Sequence, residues 1–201
     1  MTFANALGAE HARPAGVAPP PRVFVGLKVA PQIASRLAQF AAGLEPQSVR
    51  PVAPADIHLT LVPPWNETSI PNAIEKLGGV AGAFGAFSLI FQHVGYGPQP
   101  RRPHLLWADC AVSGEIAALR AALLQVFGQA DERPFLPHVT LARIRAKGAA
   151  IARKHPIDRK LSLTQRVESI ELFQSPPPGG SGYQVLASLR LGDTARSPPT
   201  P

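Results

Sequence analysis

The chain has 201 residues, of which 45% are hydrophobic, and a formal net charge of +7. This length suits one domain, or one domain built from two similar units, and the apolar fraction suffices for a core. Arginine supplies 15 of the 20 basic residues. Its planar fork grips phosphate with two hydrogen bonds, so the composition favours anionic partners. One cysteine excludes an intramolecular disulfide, and no apolar run approaches the ~18 residues of a membrane span. We therefore expect a cytoplasmic monomer without a membrane partner.

The two ends of the chain differ in composition from the region between them. Residues 1–20 are rich in Ala, Gly and Pro, and we expect a disordered leader there. Residues 193–201 end in Ser-Pro-Pro-Thr-Pro, and we expect a disordered tail. Residues 21–192 are expected to form a single compact domain.

Hydrophobic periodicity and turn residues predict alternating strands and helices through this domain. Pro31 suits the first turn of a helix, and Ser113 is a good N-cap for a later one. In chain order we predict a strand at 22–29, a helix at 31–44, a strand that carries His58 and ends before Pro63 and Pro64, a helix near 69–80, strands at 87–94 and 104–111, a helix at 115–127, a strand that carries His138, and strands near 166–173 and 183–191.

Two short segments share one pattern, His58-Leu-Thr-Leu and His138-Val-Thr-Leu. Side chains alternate between the faces of a strand, so each segment turns its His and its Thr to one side. The apolar residues between and after them face the opposite side, where they can pack. Each segment therefore offers one proton-transfer group and one hydroxyl on a polar face.

The two segments occupy matching places in a weak internal repeat. Strand 22–29, a helix and a loop precede His58, and strand 104–111, a helix and a loop precede His138. Two such units related by an approximate twofold would turn both His-x-Thr strands toward one shared cleft.

Two histidines on opposite sides of one phosphorus suit the opening of a cyclic phosphodiester. One imidazole takes a proton from the nucleophile and the other gives one to the leaving oxygen. Both tasks suit a pKa of ~6.5. Thr60, Thr140 and an arginine can stabilise charge on the other phosphate oxygens. Neither motif carries a third His or a carboxylate at metal-ligand spacing, so no metal is expected.

The segment after the second motif is strongly basic. Between residues 133 and 160 the only acidic residue is Asp158. These basic residues form either a solvated face or a rim that attracts a phosphate ester. They are Arg133, Arg143, Arg145, Lys147, Arg153, Lys154, Arg159 and Lys160.

The paired motifs resemble the signature of the two-histidine (2H) phosphoesterase superfamily. The preceding segments sharpen this resemblance. Arg50-Pro-Val-Ala-Pro-Ala-Asp-Ile before His58, and Arg133-Pro-Phe-Leu-Pro before His138, are similar to those of the RNA 2′,3′-cyclic phosphodiesterases, also called 2′-5′ RNA ligases. The resemblance covers residues 21–192. It implies an α+β fold that is bilobal, with two antiparallel sheets and flanking helices around a central cleft.

The resemblance also implies an activity and a role for each site residue. The expected activity is metal-independent opening of 2′,3′-cyclic phosphates, on RNA ends or nucleotides, to 2′-phosphomonoesters, with no cofactor. By position, His58 would be the acid and His138 the base. Thr60 and Thr140 would hold phosphate oxygens, and Arg143 would assist. The residues themselves do not distinguish the acid from the base.

Two departures from the pattern bear on these expectations. Arg143 lies five residues beyond His138, so strict alternation would place it on the opposite face, and a bulge or strand end is needed to bring it back. The first motif continues as Val62-Pro-Pro-Trp65 where the family usually has Phe-Leu-Gly, and Trp65 either stacks on a nucleobase or caps the core.

Two alternative functions stay open. One is a protein that binds RNA ends or joins 2′-5′ termini, with weak hydrolysis. The other is a phosphodiesterase with another cyclic or 2′-5′-linked substrate.

Overall fold

The structure, a computed structural model, describes residues 19–99, 101–130, 134–177, 180 and 182–192. The expected leader 1–20, except for its last two residues, and the expected tail 193–201 lie outside these residues. The described part holds nine strands and four α-helices. In chain order they are β1 (Arg22–Lys28), α1 (Pro31–Ala38), β2 (Val49–Pro51), β3 (His58–Asn66), α2 (Ile70–Ala83), β4 (Phe87–Gly97), β5 (Leu105–Cys110), α3 (Gly114–Val126), β6 (His138–Ile144), α4 (Gly148–Lys154), β7 (Arg159–Val167), β8 (Ser169–Gln174) and β9 (Gln184–Arg190).

The strands form one sheet in which every pairing between these strands is antiparallel. The order across it is β7-β4-β5-β6-β3-β1-β8-β9, with β2 pairing to β6. We call β3, β1, β8 and β9 the first half-sheet, and β7, β4, β5, β6 and β2 the second half-sheet. The two halves join at a single register pair, Leu59 opposite Val139. The strands are thus hydrogen-bonded into one sheet where the sequence predicted two, because the two motif strands pair with each other.

The main elements begin where local chemistry favours them. The five central residues of β1 are all buried, as expected for a strand covered on both faces. Pro31 opens α1, and the Ser113 hydroxyl accepts a hydrogen bond of 3.4 Å from the Ile116 N–H to cap α3. No helix in the described residues is both long and apolar enough to cross a membrane.

Two predicted boundaries were wrong. The α-helix predicted over 31–44 ends at Ala38 and continues as a 3₁₀ turn over Gln39–Ala41. The strand predicted near 166–173 is two strands, β7 and β8, that meet at Glu168. The basic segment 148–154, for which no element was predicted, forms α4, with one buried apolar residue, Ile151. Its short length and single apolar anchor left too weak a periodic signal.

The prediction that Pro63 and Pro64 end the first motif strand was also wrong. β3 continues to Asn66, which pairs with Arg22 of β1. Toward β6, β3 has only the pair at Leu59, so the residues beyond it have no partner strand on that side. Proline lacks an N–H and is tolerated where no ladder bond is required.

A β-bulge follows the threonine of each motif strand. In β3 the two residues on either side of Leu61 pair with consecutive residues of β1, so Leu61 is the extra residue. In β6 the two residues on either side of Leu141 pair with consecutive residues of β5, so Leu141 is the extra residue. Both leucines are buried. The same irregularity therefore occurs at the same place in both motifs.

Candidate active site

A cavity of about 400 Å³, which we call the two-histidine cavity, lies where the two half-sheets meet. All five predicted site residues line it: His58 and Thr60 from β3, and His138, Thr140 and Arg143 from β6. The structure therefore brings together every residue that the sequence singled out as catalytic or substrate-binding. The cavity draws on strands from both halves, so neither half-sheet contains the site alone.

The two imidazoles are held by the same backbone device. Nδ1 of His58 donates to the carbonyl oxygen of Asp56 at 2.7 Å. Nδ1 of His138 donates to the carbonyl oxygen of Leu136, also at 2.7 Å. A carbonyl oxygen only accepts, so it places the proton on Nδ1 and leaves Nε2 of each ring available. Each imidazole can then accept a proton at Nε2 when neutral, or donate one there when charged.

The surroundings of the two rings differ. His58 is enclosed by aromatic side chains, with ring centroids at 4.8 Å for Phe24, 5.4 Å for Phe173 and 4.8 Å for Tyr183, the last in a T-shaped arrangement. His138 contacts one aromatic ring, that of Trp107, at 4.5 Å. The first imidazole therefore lies in a more apolar setting than the second.

The charged groups near the two rings also differ. Burial lowers the pKa of His58, and Arg143 and His138 lower it further, against the carbonyl and carboxylate of Asp56. Burial lowers the pKa of His138 too, but the Leu136 carbonyl and the Asp109 carboxylate oppose this shift. Asp109 lies directly across from His138 in the β5–β6 pairing. Nearby charge in the free protein thus favours a proton on His138 and disfavours one on His58.

Arg143 reaches the cavity because of the bulge in β6. Without the extra residue at Leu141, it would fall on the face opposite His138 and Thr140. The bulge resets the alternation, so Arg143 joins them in lining the cavity. A bulge or a strand end was predicted to be necessary for this, and the β5–β6 register shows a bulge.

Two residues at the site were missed by sequence reasoning. The side chain of Asp56 accepts a hydrogen bond of 3.0 Å from the Tyr183 N–H, and its own carbonyl holds His58. Asp56 thereby ties the loop before β9 to the first imidazole. Tyr183 is separated from His58 by 125 residues of sequence, and only the strand order brings them together. The position of Asp56, two residues before His58, was the one local signal.

Trp65 does not line the two-histidine cavity. Its ring packs against Phe127 at 4.9 Å, and its Nε1–H donates to Glu67 at 2.9 Å. Of the two alternatives for this residue, the structure favours capping of the core.

The basic segment after the second motif divides between different surfaces. Arg143 lines the two-histidine cavity, whereas Lys154 pairs with Glu45. Arg159 and Lys160 lie on β7 at one edge of the sheet, and Arg133 lies outside the described residues. The predicted rim is therefore not one continuous patch.

A larger cavity, of about 660 Å³, lies on the other side of the segment that precedes β3. It is lined by the buried Glu171 but by no imidazole. The Glu171 carboxylate is occupied by the Ser169 hydroxyl at 2.6 Å and the Ser188 hydroxyl at 3.0 Å. Volume alone would favour this cavity, but the proton-transfer groups lie in the smaller one. Within the described ranges, no group of three or more His, Cys, Asp or Glu side chains forms a metal site.

Comparison with known proteins agrees with this geometry. A curated relative from Bacillus subtilis (strain 168), named RNA 2′,3′-cyclic phosphodiesterase, is 31% identical over 131 residues, covering 61% of this chain and 71% of the relative. One of the same name from Archaeoglobus fulgidus is 27% identical over 137 residues, covering 65% of this chain and 77% of the relative. The crystal structure of TT0787 of Thermus thermophilus superposes with a TM-score of 0.71 at 24% identity, covering 86% of this chain and 99% of that chain.

The fold and the paired motifs define a two-histidine phosphoesterase. The chain belongs to the 2′-5′ RNA ligase superfamily, whose family model matches residues 29–175.

Proposed function

We propose that this protein hydrolyses 2′,3′-cyclic phosphates, at RNA ends or in nucleotides, to 2′-phosphomonoesters. One observation carries the proposal: two imidazoles, each with Nε2 free, line a single cavity together with two hydroxyls and one guanidinium. Opening of a cyclic phosphodiester needs one proton acceptor and one proton donor on either side of phosphorus. The curated relatives are named for this reaction.

In the proposed step, His138 accepts a proton at Nε2 from a water molecule as that water attacks phosphorus. The bond between phosphorus and O3′ breaks, and His58 donates its Nε2 proton to O3′. The products are a 2′-phosphomonoester and a free 3′-hydroxyl, and a proton returning from His138 to His58 through solvent resets the pair. This assignment follows the family resemblance, and a substrate whose leaving group needs no protonation tests it.

Substrate binding bears on that assignment. A bound cyclic phosphate is an anion, and placed between the two rings it raises the pKa of both imidazoles. It also offsets the positive charge of Arg143, which adds to the effect of burial in lowering the pKa of His58. We propose that the substrate itself helps to charge the acid.

Thr60, Thr140 and Arg143 are proposed to hold the non-bridging phosphate oxygens. Each of them lines the cavity beside a histidine. Fixed donors near a phosphate gain strength as negative charge on its oxygens increases in the transition state. A guanidinium adds a charge-assisted and potentially two-pronged contact.

We also propose that residues 21–192 act as one bilobal domain with an approximate internal twofold, and that the protein works as a cytoplasmic monomer. The lobes would be the two half-sheets with their helices. Matching bulges at Leu61 and Leu141, and matching i−2 carbonyl bonds to the two imidazoles, support the twofold relation.

The decisive experiment is turnover of 2′,3′-cyclic nucleotides with a metal chelator present. We expect wild-type protein to produce 2′-phosphomonoesters, and His58→Ala and His138→Ala each to lose about 10²–10⁴-fold in rate. The matched control is His155→Ala, which removes an imidazole outside the cavity and should leave the rate unchanged. Full activity in either cavity variant, or a 3′-phosphate product, would overturn the proposal.

The family description favours one second candidate, the joining of RNA ends through a 2′-5′ linkage. The same site would use an RNA 5′-hydroxyl in place of water, with O3′ leaving as before. Supplying RNA with a 5′-hydroxyl alongside the cyclic phosphate tests this. A 2′-5′-linked product exceeding the hydrolysis product would make joining the principal activity.

A further inference from the structure

A second cavity, of about 420 Å³, is lined by basic side chains and by no Asp or Glu. We call it the basic pocket. Its charged or chargeable lining residues are Arg102, His104, Arg145, Lys147 and Arg153. All five are exposed, so they can reach a ligand from solvent. Such a lining selects for an anion.

The positive charge of the basic pocket is not neutralised from within the described chain. There, Lys154 and His155 pair with Glu45, but none of the four Arg and Lys residues of the pocket has a carboxylate within ion-pair distance. Unpaired cations around a concave surface repel one another, and an anion relieves that repulsion. The pocket therefore differs from an ordinary solvated face of alternating charges.

The backbone brings two distant segments together to build this pocket. Gly148 lies so close to Pro103 that an added Cβ would stand 2.3 Å from the Pro103 carbonyl oxygen. Lys147, just before it, has a left-handed backbone with φ of 56°. A tight turn and a close approach thus place residues before β5 beside residues after β6.

The basic pocket and the two-histidine cavity are lined by neighbouring residues of the same two segments. On β5, Leu105 lines the two-histidine cavity, and the residue before it, His104, lines the basic pocket. Beyond β6, Arg145 follows Arg143 by two residues, and Arg143 pairs with Leu105. Two residues of extended chain span about 7 Å, a length that one nucleotide can bridge.

We propose that the basic pocket binds the phosphodiester on the 5′ side of the terminal nucleotide, so that this internal phosphate strengthens binding when the substrate is an RNA end. This inference rests on the proposed function, since the cyclic phosphate must sit between His58 and His138. A free 2′,3′-cyclic nucleotide with a 5′-hydroxyl carries no charge there, whereas even a dinucleotide ending in the cyclic phosphate does.

The test pairs a change in the protein with a change in the substrate. The two substrates are a dinucleotide ending in a 2′,3′-cyclic phosphate and its isostere, in which a neutral methylphosphonate replaces the internal phosphodiester. We expect wild-type protein to show kcat/KM about tenfold higher for the charged dinucleotide. In the triple variant Arg145→Gln, Lys147→Gln and Arg153→Gln that ratio should fall to near one.

A triple variant elsewhere controls for net charge and long-range steering. Arg36→Gln, Lys76→Gln and Arg190→Gln remove the same charge from exposed positions on α1, α2 and β9. This control should keep the wild-type ratio. Arg145→Lys with the other two positions intact should also keep it, because charge rather than shape is proposed to act.

A ratio that is the same in wild type and in the basic-pocket variant would overturn the inference. An equal fall of the kcat/KM ratio in both triple variants would also overturn it, because it would show long-range attraction by net charge rather than binding at the basic pocket. Failure of the proposed function has another signature: wild-type protein would open none of the cyclic phosphates, the free nucleotide included. Equilibrium binding of the two dinucleotides to His138→Ala then decides the inference without turnover, and equal Kd values would reject it.

Discussion

The two motif strands share their backbone and differ in their neighbours. In both, the histidine donates Nδ1–H to the carbonyl two residues earlier, and a bulge follows the threonine. In the first half-sheet the residue opposite the histidine is Lys28, whereas in the second it is Asp109. Aromatic rings enclose His58 on several sides, and a single indole contacts His138.

This difference teaches that a repeated motif can provide two unlike functional groups. The backbone fixes which nitrogen of each ring faces the ligand, and that part is the same in both halves. The neighbours set how readily each ring carries a proton, and they differ. Because different neighbours act on the two rings, one ring can carry a proton while the other does not.

The largest expected effect separates the acid from the base through the leaving group. With an ordinary cyclic phosphate, His58→Ala and His138→Ala each lose about 10²–10⁴-fold in rate. In a substrate with sulfur in place of O3′, the leaving group is a thiolate, which needs little protonation. His58→Ala should then recover most of its lost rate, and His138→Ala should not, as measured by single-turnover kinetics. Recovery in His138→Ala instead would reverse the two roles.

The next effect tests whether the two threonines contribute equally. Thr60→Val and Thr140→Val each remove one hydroxyl donor while preserving shape, and we expect about 10²-fold lower kcat for each. KM should change little, because the lost contact strengthens mainly in the transition state. A loss in only one variant would show that the phosphate sits closer to one half-sheet.

A smaller effect is expected at Tyr183. Removing its ring with Tyr183→Ala opens the aromatic enclosure of His58, and we expect kcat/KM to fall about tenfold. Because burial is the main cause of the lowered pKa of His58, that pKa should rise. The limb of the kcat/KM profile that reports His58 then moves to higher pH. Tyr183→Phe keeps the ring and serves as the control, and an unmoved limb in Tyr183→Ala would contradict the role given to the enclosure.

The smallest expected effect concerns Asp109, and it appears in the pH profile rather than in the maximal rate. Asp109 raises the pKa of His138, so Asp109→Asn should lower it. The limb of the kcat/KM profile that reports His138 then moves to lower pH, whichever role this histidine has. An unmoved profile in Asp109→Asn would contradict the effect given to this carboxylate. In wild-type protein both limbs should reflect imidazoles whose pKa lies below the ordinary value of about 6.5.

Sequence reasoning identified the candidate site residues because the pattern that carries them is local. The alternation of His, apolar residue and Thr fixes which side chains share a face, and the structure places all five predicted residues around one cavity. The need for a bulge before Arg143 could also be stated in advance, since it follows from counting residues along a strand. Its occurrence at Leu141 depends on pairing with β5 and could not be read from the chain.

Other features depend on contacts between distant segments. The enclosure of His58 by Tyr183 requires the strand order β3-β1-β8-β9, which no local pattern specifies. The continuation of β3 through Pro63 and Pro64 was missed because it depends on strand pairing. Beyond Leu59, β3 has no register pair with β6, so prolines are tolerated there. The helix α4 was missed because a seven-residue element with one buried apolar side chain has almost no periodicity.

The single pair that joins the half-sheets has a consequence for substrate size. Leu59 and Val139 are the residues between His and Thr in their motifs, and both are fully buried. The separation of the two imidazoles is therefore set by the backbone pairing of Leu59 with Val139, where the two half-sheets join. If the proposed function holds, the space available to the phosphate between the two rings is set by this pairing and not by the surrounding loops.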